Sequence, residues 1–189
     1  MEQNASAVAV PFLNEASTCC FSLLEGHRDG LEASRAASVH LHKFLEKEIG
    51  SDGSGWNMKG CFENAFSLTD EALKTIAVDR GATVASCLIR KYDDQMYLHT
   101  ANVGCTRAIL CRGPKAICIS EDHSPLNSAE HHRLADCPSY TDSSARTRQL
   151  VRSTRALGDH LLKDWVISRP HYCSLELCPA DSAVACVTG

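Results

Sequence analysis

The chain has 189 residues, 44% of them hydrophobic and 22% charged, enough for one domain with a filled core and too few for two of ordinary size. Its net charge of −4 speaks against a nucleic-acid binder, which needs a basic face to neutralise phosphates. No apolar run approaches the ~20 residues that span a bilayer, and Met1 to Ser6 lack the features of a signal peptide, so an intracellular protein, cytoplasmic or nuclear and without a membrane partner, is expected.

Residues 1–18 are read as a poorly ordered N-terminal segment ahead of a domain at 19–189. Cys19 to Leu24 predict a buried strand, closed by a turn over Glu25-Gly26-His27-Arg28-Asp29-Gly30. From Leu31 to Ile49 the residues Ala33, Ala36, Ala37, Leu41, Phe44 and Leu45 recur at three- and four-residue steps, which predicts a helix with one apolar stripe. A Gly/Ser-rich loop over 50–60 separates it from a second helix expected over Phe62–Ala77.

After Gly81 the pattern becomes strand-like, with Thr83–Ile89, Met96–Val103, Thr106–Cys111 and Ala116–Ile119 joined by turns in an antiparallel meander. A helical turn is expected around Glu130–Leu134. The Ser/Thr/Arg-rich stretch after it holds Arg146, Arg148, Arg152 and Arg155, either a solvated loop or a site for an acidic or phosphorylated partner. The chain closes with Trp165 to Ile167, a connection through Pro170 and Pro179, and a strand over Ala183–Val187. Helices followed by hairpins predict an α+β fold. Eleven cysteines without a Cys-x-x-Cys spacing are read as reduced residues, those in apolar runs (Cys87, Cys111, Cys118, Cys186) as buried ones, with zinc or a disulfide framework as the alternative.

Several blocks, in order, resemble the metal-dependent serine/threonine phosphatases of the PP2C family. Phe21 to Gly30 is similar to the family's Phe-x-Val-Phe-Asp-Gly-His-Gly-Gly, and Gly81-Ala82-Thr83-Val84 to its Gly-Ser-Thr-Ala. Ala101 to Leu110 (Ala-Asn-Val-Gly-Cys-Thr-Arg-Ala-Ile-Leu) resembles Ala-Asn-Val-Gly-Asp-Ser-Arg-Ala-Val-Leu. Asp122-His123, Glu130-x-x-Arg133-Leu134 and Thr154 to Asp159 match further blocks. The resemblance runs from about Phe21 onward and implies an antiparallel β-sandwich flanked by helices, here expected to lack the family's C-terminal strands. It also implies a centre of two Mg²⁺ or Mn²⁺ ions held by carboxylates, which hard ions prefer, and a histidine that protonates the leaving oxygen.

Carried over position by position, the resemblance makes Glu25 the bridging metal ligand, lengthened by one methylene that moves the carboxylate roughly 1.5 Å. Gly26 becomes a carbonyl ligand and His27 the general acid, with a turn histidine as the alternative. Arg28 and Asp29 stand where the family has two glycines; Arg28 sets a cation beside the ion site, and Asp29 is a substitute carboxylate ligand. Cys105 and Thr188 fall on aspartate positions and are poor ligands for hard ions. Arg107, Arg155 and Asp159 are read structurally, Arg107 as anchor of the turn at Gly104 and Asp159 as a cap or a partner for a buried cation. No Glu-Asp pair and no arginine precede Cys19. The expectation is a pseudophosphatase acting through protein contacts with a phosphoprotein or signalling protein, or with a second copy covering sheet edges. The alternatives are an active Mg²⁺/Mn²⁺ phosphatase and a fragment of a longer enzyme.

Overall fold

The computed structural model describes residues 3–52, 57–141, 143 and 152–188. Arg146 and Arg148 of the arginine-rich stretch lie outside the described residues. Strand β1 (Asn4–Ala9) pairs antiparallel with β2 (Cys19–His27), which is followed by helices α1 (Leu31–Ser51) and α2 (Met58–Ala72). Then come β3 (Gly81–Tyr92), β4 (Gln95–Val103), β5 (Arg107–Arg112) and β6 (Lys115–Cys118). Short helices α3 (Ser128–Ala135) and α4 (Pro138–Thr141) precede β7 (Leu157–Gly158), β8 (His171–Glu176) and β9 (Asp181–Val187).

The strands make two antiparallel sheets. One runs β1-β2-β3-β4-β8 with β7 added on β3, and the other runs β6-β5-β9. Strand β3 is the spine: Gly81 to Leu88 are buried without interruption, because helices cover one face and the second sheet covers the other. Side chains alternate across it. Val84 and Leu88 meet Ala33, Ala37, Leu41 and Leu45 of α1 and Phe62 and Phe66 of α2, whereas Cys87 faces Leu98, Ala108 and Leu110 in the inter-sheet layer. A third cluster of Leu134, Ala156, Trp165 and Val166 seats α3.

The N-terminal segment departs from expectation. Instead of lying outside the domain, Asn4 to Ala9 form an edge strand in register with Glu25 to Cys20, and the Gln3 carbonyl accepts from Gly26 N at 2.9 Å and Ser34 Oγ at 3.0 Å. Its alternating half-buried pattern needs only small residues facing inward, Ala5 and Ala9, so no strong apolar run announces it. Strand β8 is the second difference. His171 to Glu176 continue the sheet beside β4 where a plain connection was expected, again as a polar, partly exposed edge. Helix α2 starts at Met58, where the Asn57 side chain accepts from Gly60 N, and ends at Ala72 rather than Ala77. All eleven cysteines are free, but only Cys20, Cys61 and Cys87 are buried; Cys118 is exposed and Cys111 and Cys186 are half-buried.

Removing residues 1–9 strips six register pairs from the edge of β2, and at a few tenths of a kcal/mol per pair the chain is expected to lose about 2 kcal/mol of stability. Urea unfolding of the shortened chain checks this; an unchanged midpoint would mean that the segment does not dock.

Candidate active site

The last residues of β2 and the turn after it, the start of β3, and the β7 segment meet at one end of the large sheet. Gly26 must be glycine on packing grounds, since a Cβ there would lie 2.4 Å from the Gly30 carbonyl oxygen. Glu25, Gly26 and His27 sit in register with Thr83, Ala82 and Gly81. The next two residues, Arg28 (φ 53°) and Asp29 (φ 59°), adopt the left-handed conformation that glycine takes without penalty and other residues take at a cost. Asp159 does the same (φ 55°) just after β7.

Asp159 is the electrostatic centre of this region, with a side chain only 1% exposed. Its Oδ2 accepts from His27 Nε2 at 2.7 Å, and its Oδ1 pairs with the Arg28 guanidinium, whose Nε also donates to the Asp79 carbonyl at 2.9 Å. A carboxylate accepts only, so Nε2 carries the proton of the imidazole. Burial first, then the Arg28 guanidinium, push the His27 pKa down to about 4 against the pull of Glu25. With its charge already matched by Arg28, Asp159 orients a neutral imidazole. Behind it, Asp70 Oδ1 accepts from Gly158 N at 2.8 Å and from Lys163 Nζ at 2.8 Å, and burial lowers the lysine pKa.

Glu25 lies on the same face of β2 as His27, half-buried, and its charge acts on both His27 and Cys105. Cys105 follows Gly104, where φ is +84° and a Cβ would meet Thr83 Cγ2 at 2.3 Å, so the turn accepts only glycine. Burial raises the Cys105 thiol pKa, so it is not an activated thiolate despite the nearby Arg107. Thr188 follows Val187, the register partner of Arg107, at the same end of the second sheet. Asp29 is exposed on its turn.

The remaining polar residues hold loops. Gly104 N donates to His123 Nδ1 at 3.1 Å and the Gly104 carbonyl accepts from His123 N, while Arg107 grips Asp122, the residue before His123. Arg155 Nη2 and Arg133 Nη2 donate to the two oxygens of buried Glu130 at 2.6 and 2.7 Å, and Thr154 Oγ1 donates to it at 2.6 Å. Against the cost of burial, these bonds hold the Glu130 pKa down to about 2.

Do these residues suit the divalent ions that the resemblance implies? Among the described residues no three His, Cys, Asp or Glu side chains are grouped to hold a metal ion. Glu25 offers one carboxylate, Cys105 and Thr188 offer none, and the Asp159 oxygens are engaged by a guanidinium and an imidazole. A hard ion that needs about six oxygens does not fit this donor set.

The fold and these retained blocks have counterparts. The family model described as Protein phosphatase 2C matches residues 14–187. The chain belongs to the PP2C family. It is 29% identical over 175 residues to Protein phosphatase 2C homolog 1 of Saccharomyces cerevisiae, covering 85% of this chain and 61% of that protein. It is 35% identical over 153 residues to Probable protein phosphatase 2C 59 of Arabidopsis thaliana, covering 78% and 48%. Among solved structures, a C. elegans sex determining protein superposes with a TM-score of 0.81 at 19% identity over 97% of this chain and 47% of that one. Serine-threonine phosphatase 2C from Toxoplasma gondii superposes with a TM-score of 0.75 at 14% identity, over 97% and 72%. The chain thus spans about half the length of many PP2C relatives it matches. The large sheet, the second sheet and the helices on one face are the family's mixed helix and antiparallel-sheet fold.

The sequence sets Arg28 beside an ion site and leaves Asp159 as a cap or a partner for a buried cation, without joining the two. Nothing local links residues 131 apart in the chain. His123, Asp122 and Glu130 were visible only as matched blocks, and Lys163 had no signal.

Burial holds the pKa values of His99 and His123 to about 4, as it does that of His27. The unfolded chain binds these protons near pH 6.5 and the folded chain only near pH 4, so stability is full above pH 6.5 and falls as pH drops towards 4. One such histidine contributes about 2 kcal/mol of loss between pH 7.5 and 5, which urea melts at the two pH values measure. Replacing Arg28 by Ala removes the cation that matches Asp159 and depresses His27. The His27 midpoint, followed by NMR of the imidazole, is expected to rise by about one unit or more; an unmoved midpoint would mean that the pairing does not control it.

Proposed function

We propose that this PP2C-family domain does not turn over phosphoesters and works through protein contacts, its partner a phosphoprotein or another signalling protein. The observation that carries the reading is the Arg28–Asp159–His27 cluster: a guanidinium occupies the carboxylate beside the family's histidine, and a fixed cation there repels a divalent ion. A general acid must hold a proton that it can give up, whereas His27 is neutral at pH 7 and its one N–H is committed to Asp159. The substitutions at Glu25, Cys105 and Thr188 point the same way, because each weakens a hard-ion ligand. A sheet edge suits the contact: all four residues of β6 are exposed, and an unpaired edge invites a strand from a partner or a second copy.

The experiment is hydrolysis of p-nitrophenyl phosphate and of a phosphothreonine peptide with Mn²⁺ or Mg²⁺, alongside calorimetry of Mn²⁺ binding. The expected result is no turnover above background and no metal-binding isotherm. Metal-dependent turnover that vanishes in Glu25→Ala overturns the reading in favour of an active phosphatase. The reading also fails if the transcript runs on in frame to an Asp-Asn block and the longer chain hydrolyses phosphothreonine, as the greater length of the relatives allows.

A further inference from the structure

The hydrophobic cluster between the two sheets includes two thiols. Cys87 projects from β3 and is 0% exposed; Cys186 projects from β9 and is half-buried at the rim of the same cluster. Their sulfurs lie 3.7 Å apart, and Cys186 Sγ is also 3.9 Å from the Ala85 carbonyl oxygen. The neighbours Ala108 and Val184 are small, and the sheets approach closely enough that Cα atoms of β2 and β9 come within 8 Å. No other two cysteines among the described residues make a thiol–thiol contact of this kind; Cys19 and Cys20, though adjacent, point to opposite faces of β2.

We propose that Cys87 and Cys186 are a redox dithiol that a hydroperoxide closes into a disulfide across the two sheets. The pair is asymmetric in the manner the chemistry needs. Either thiol can donate across this contact; Cys87 is the more deeply buried, so the arrangement in which its S–H donates favours the thiolate on Cys186. Cys186 is also the more exposed of the two, so it is the attacking thiolate. Its sulfur attacks one oxygen of hydrogen peroxide, the O–O bond breaks, and the departing hydroxide takes the Cys87 proton to become water. The Cys87 thiolate then attacks the Cys186 sulfenic sulfur, the S–S bond forms, and the second hydroxide leaves as water after protonation by solvent. In sum, two thiols and one peroxide give one disulfide and two waters, each sulfur losing one electron. The sulfurs need to close by about 1.6 Å to reach bonding distance, which rotation about the two Cα–Cβ bonds supplies in large part. The bridge joins residues 99 apart and pins β9, which leads directly into Thr188, against the spine of the other sheet.

The test uses the full chain, reduced, then exposed to hydrogen peroxide, with remaining thiols alkylated and the digest read by mass spectrometry without reduction. The expected product is 2 Da lighter and carries one cross-link between the peptide holding Cys87 and the peptide holding Cys186. That second peptide also contains Cys173 and Cys178, so fragmentation must assign the linked sulfur. The oxidised chain should melt roughly 5 °C or more above the reduced one, dithiothreitol should reverse the rise, and Cys186→Ser should abolish it. A bridge between other cysteines, or Cys186 ending as sulfinic acid with Cys87 still free, overturns the proposal. The cross-link map of the unsubstituted chain decides the matter even where Cys186→Ser does not fold, and Cys87→Ala gives a second variant.

Discussion

A carboxylate that is 1% exposed has to be answered by a cation, and at Asp159 that constraint organises the end of the molecule where the two halves of the chain meet. The answer comes from Arg28, on the turn between β2 and α1. To deliver it, three residues (Arg28, Asp29 and Asp159) hold left-handed backbone conformations that only glycine adopts freely. The pairing fastens that turn to β7, and β7 in turn pairs with the start of β3. Breaking one partner would leave a buried charge, which is far worse than never having had the pair.

The same rule recurs around Glu130. Its buried carboxylate accepts from Arg133 one turn along α3 and from Arg155 and Thr154 some 25 residues further along the chain. Arg133 reaches further, to the carbonyls of Trp165 and Thr154, so one ion cluster fixes the helix, the strand-like segment and the third apolar cluster together. Asp70 with Lys163 is a third example on the far side of β7. In each case the acid is inside and the base reaches in from a partly exposed position. That suits long side chains, whose stems can cross apolar ground while their heads stay partly wet.

The legible parts of this structure are those whose signals are local. The apolar steps of α1 and the β-branched run of β3 are read directly, and the ordered blocks from Phe21 to Asp159 identify the family even at 29% identity to a yeast relative. Strands β1 and β8 were not legible, because an edge strand buries one face only and here fills that face with alanine or with polar residues satisfied by neighbours, such as Ser174 on His99. The partner of Asp159 was hidden for a different reason. A contact between residues 131 apart is set by tertiary structure, and the sequence offers several arginines of equal local claim. Arg28 looked like a cation out of place until the acid opposite it was known.

On the proposed reading, Glu25, Cys105, Thr188 and Arg28 form one set rather than several accidents. A centre that holds two divalent ions needs many carboxylates, and those carboxylates repel one another whenever the ions are gone. Neutral side chains at Cys105 and Thr188 remove that repulsion, and Arg28 supplies as a fixed side chain the positive charge that ions would bring. Asp159 is matched by the Arg28 guanidinium without any metal, and Glu25 stands beside that pair. Restoring a single ligand would therefore add negative charge to a site that already has its counter-charge, and would weaken the local structure before it recovered an ion. On the proposed reading, metal binding would require Arg28 to be replaced together with the ligands, because the guanidinium and the ions compete for the same electrostatic role.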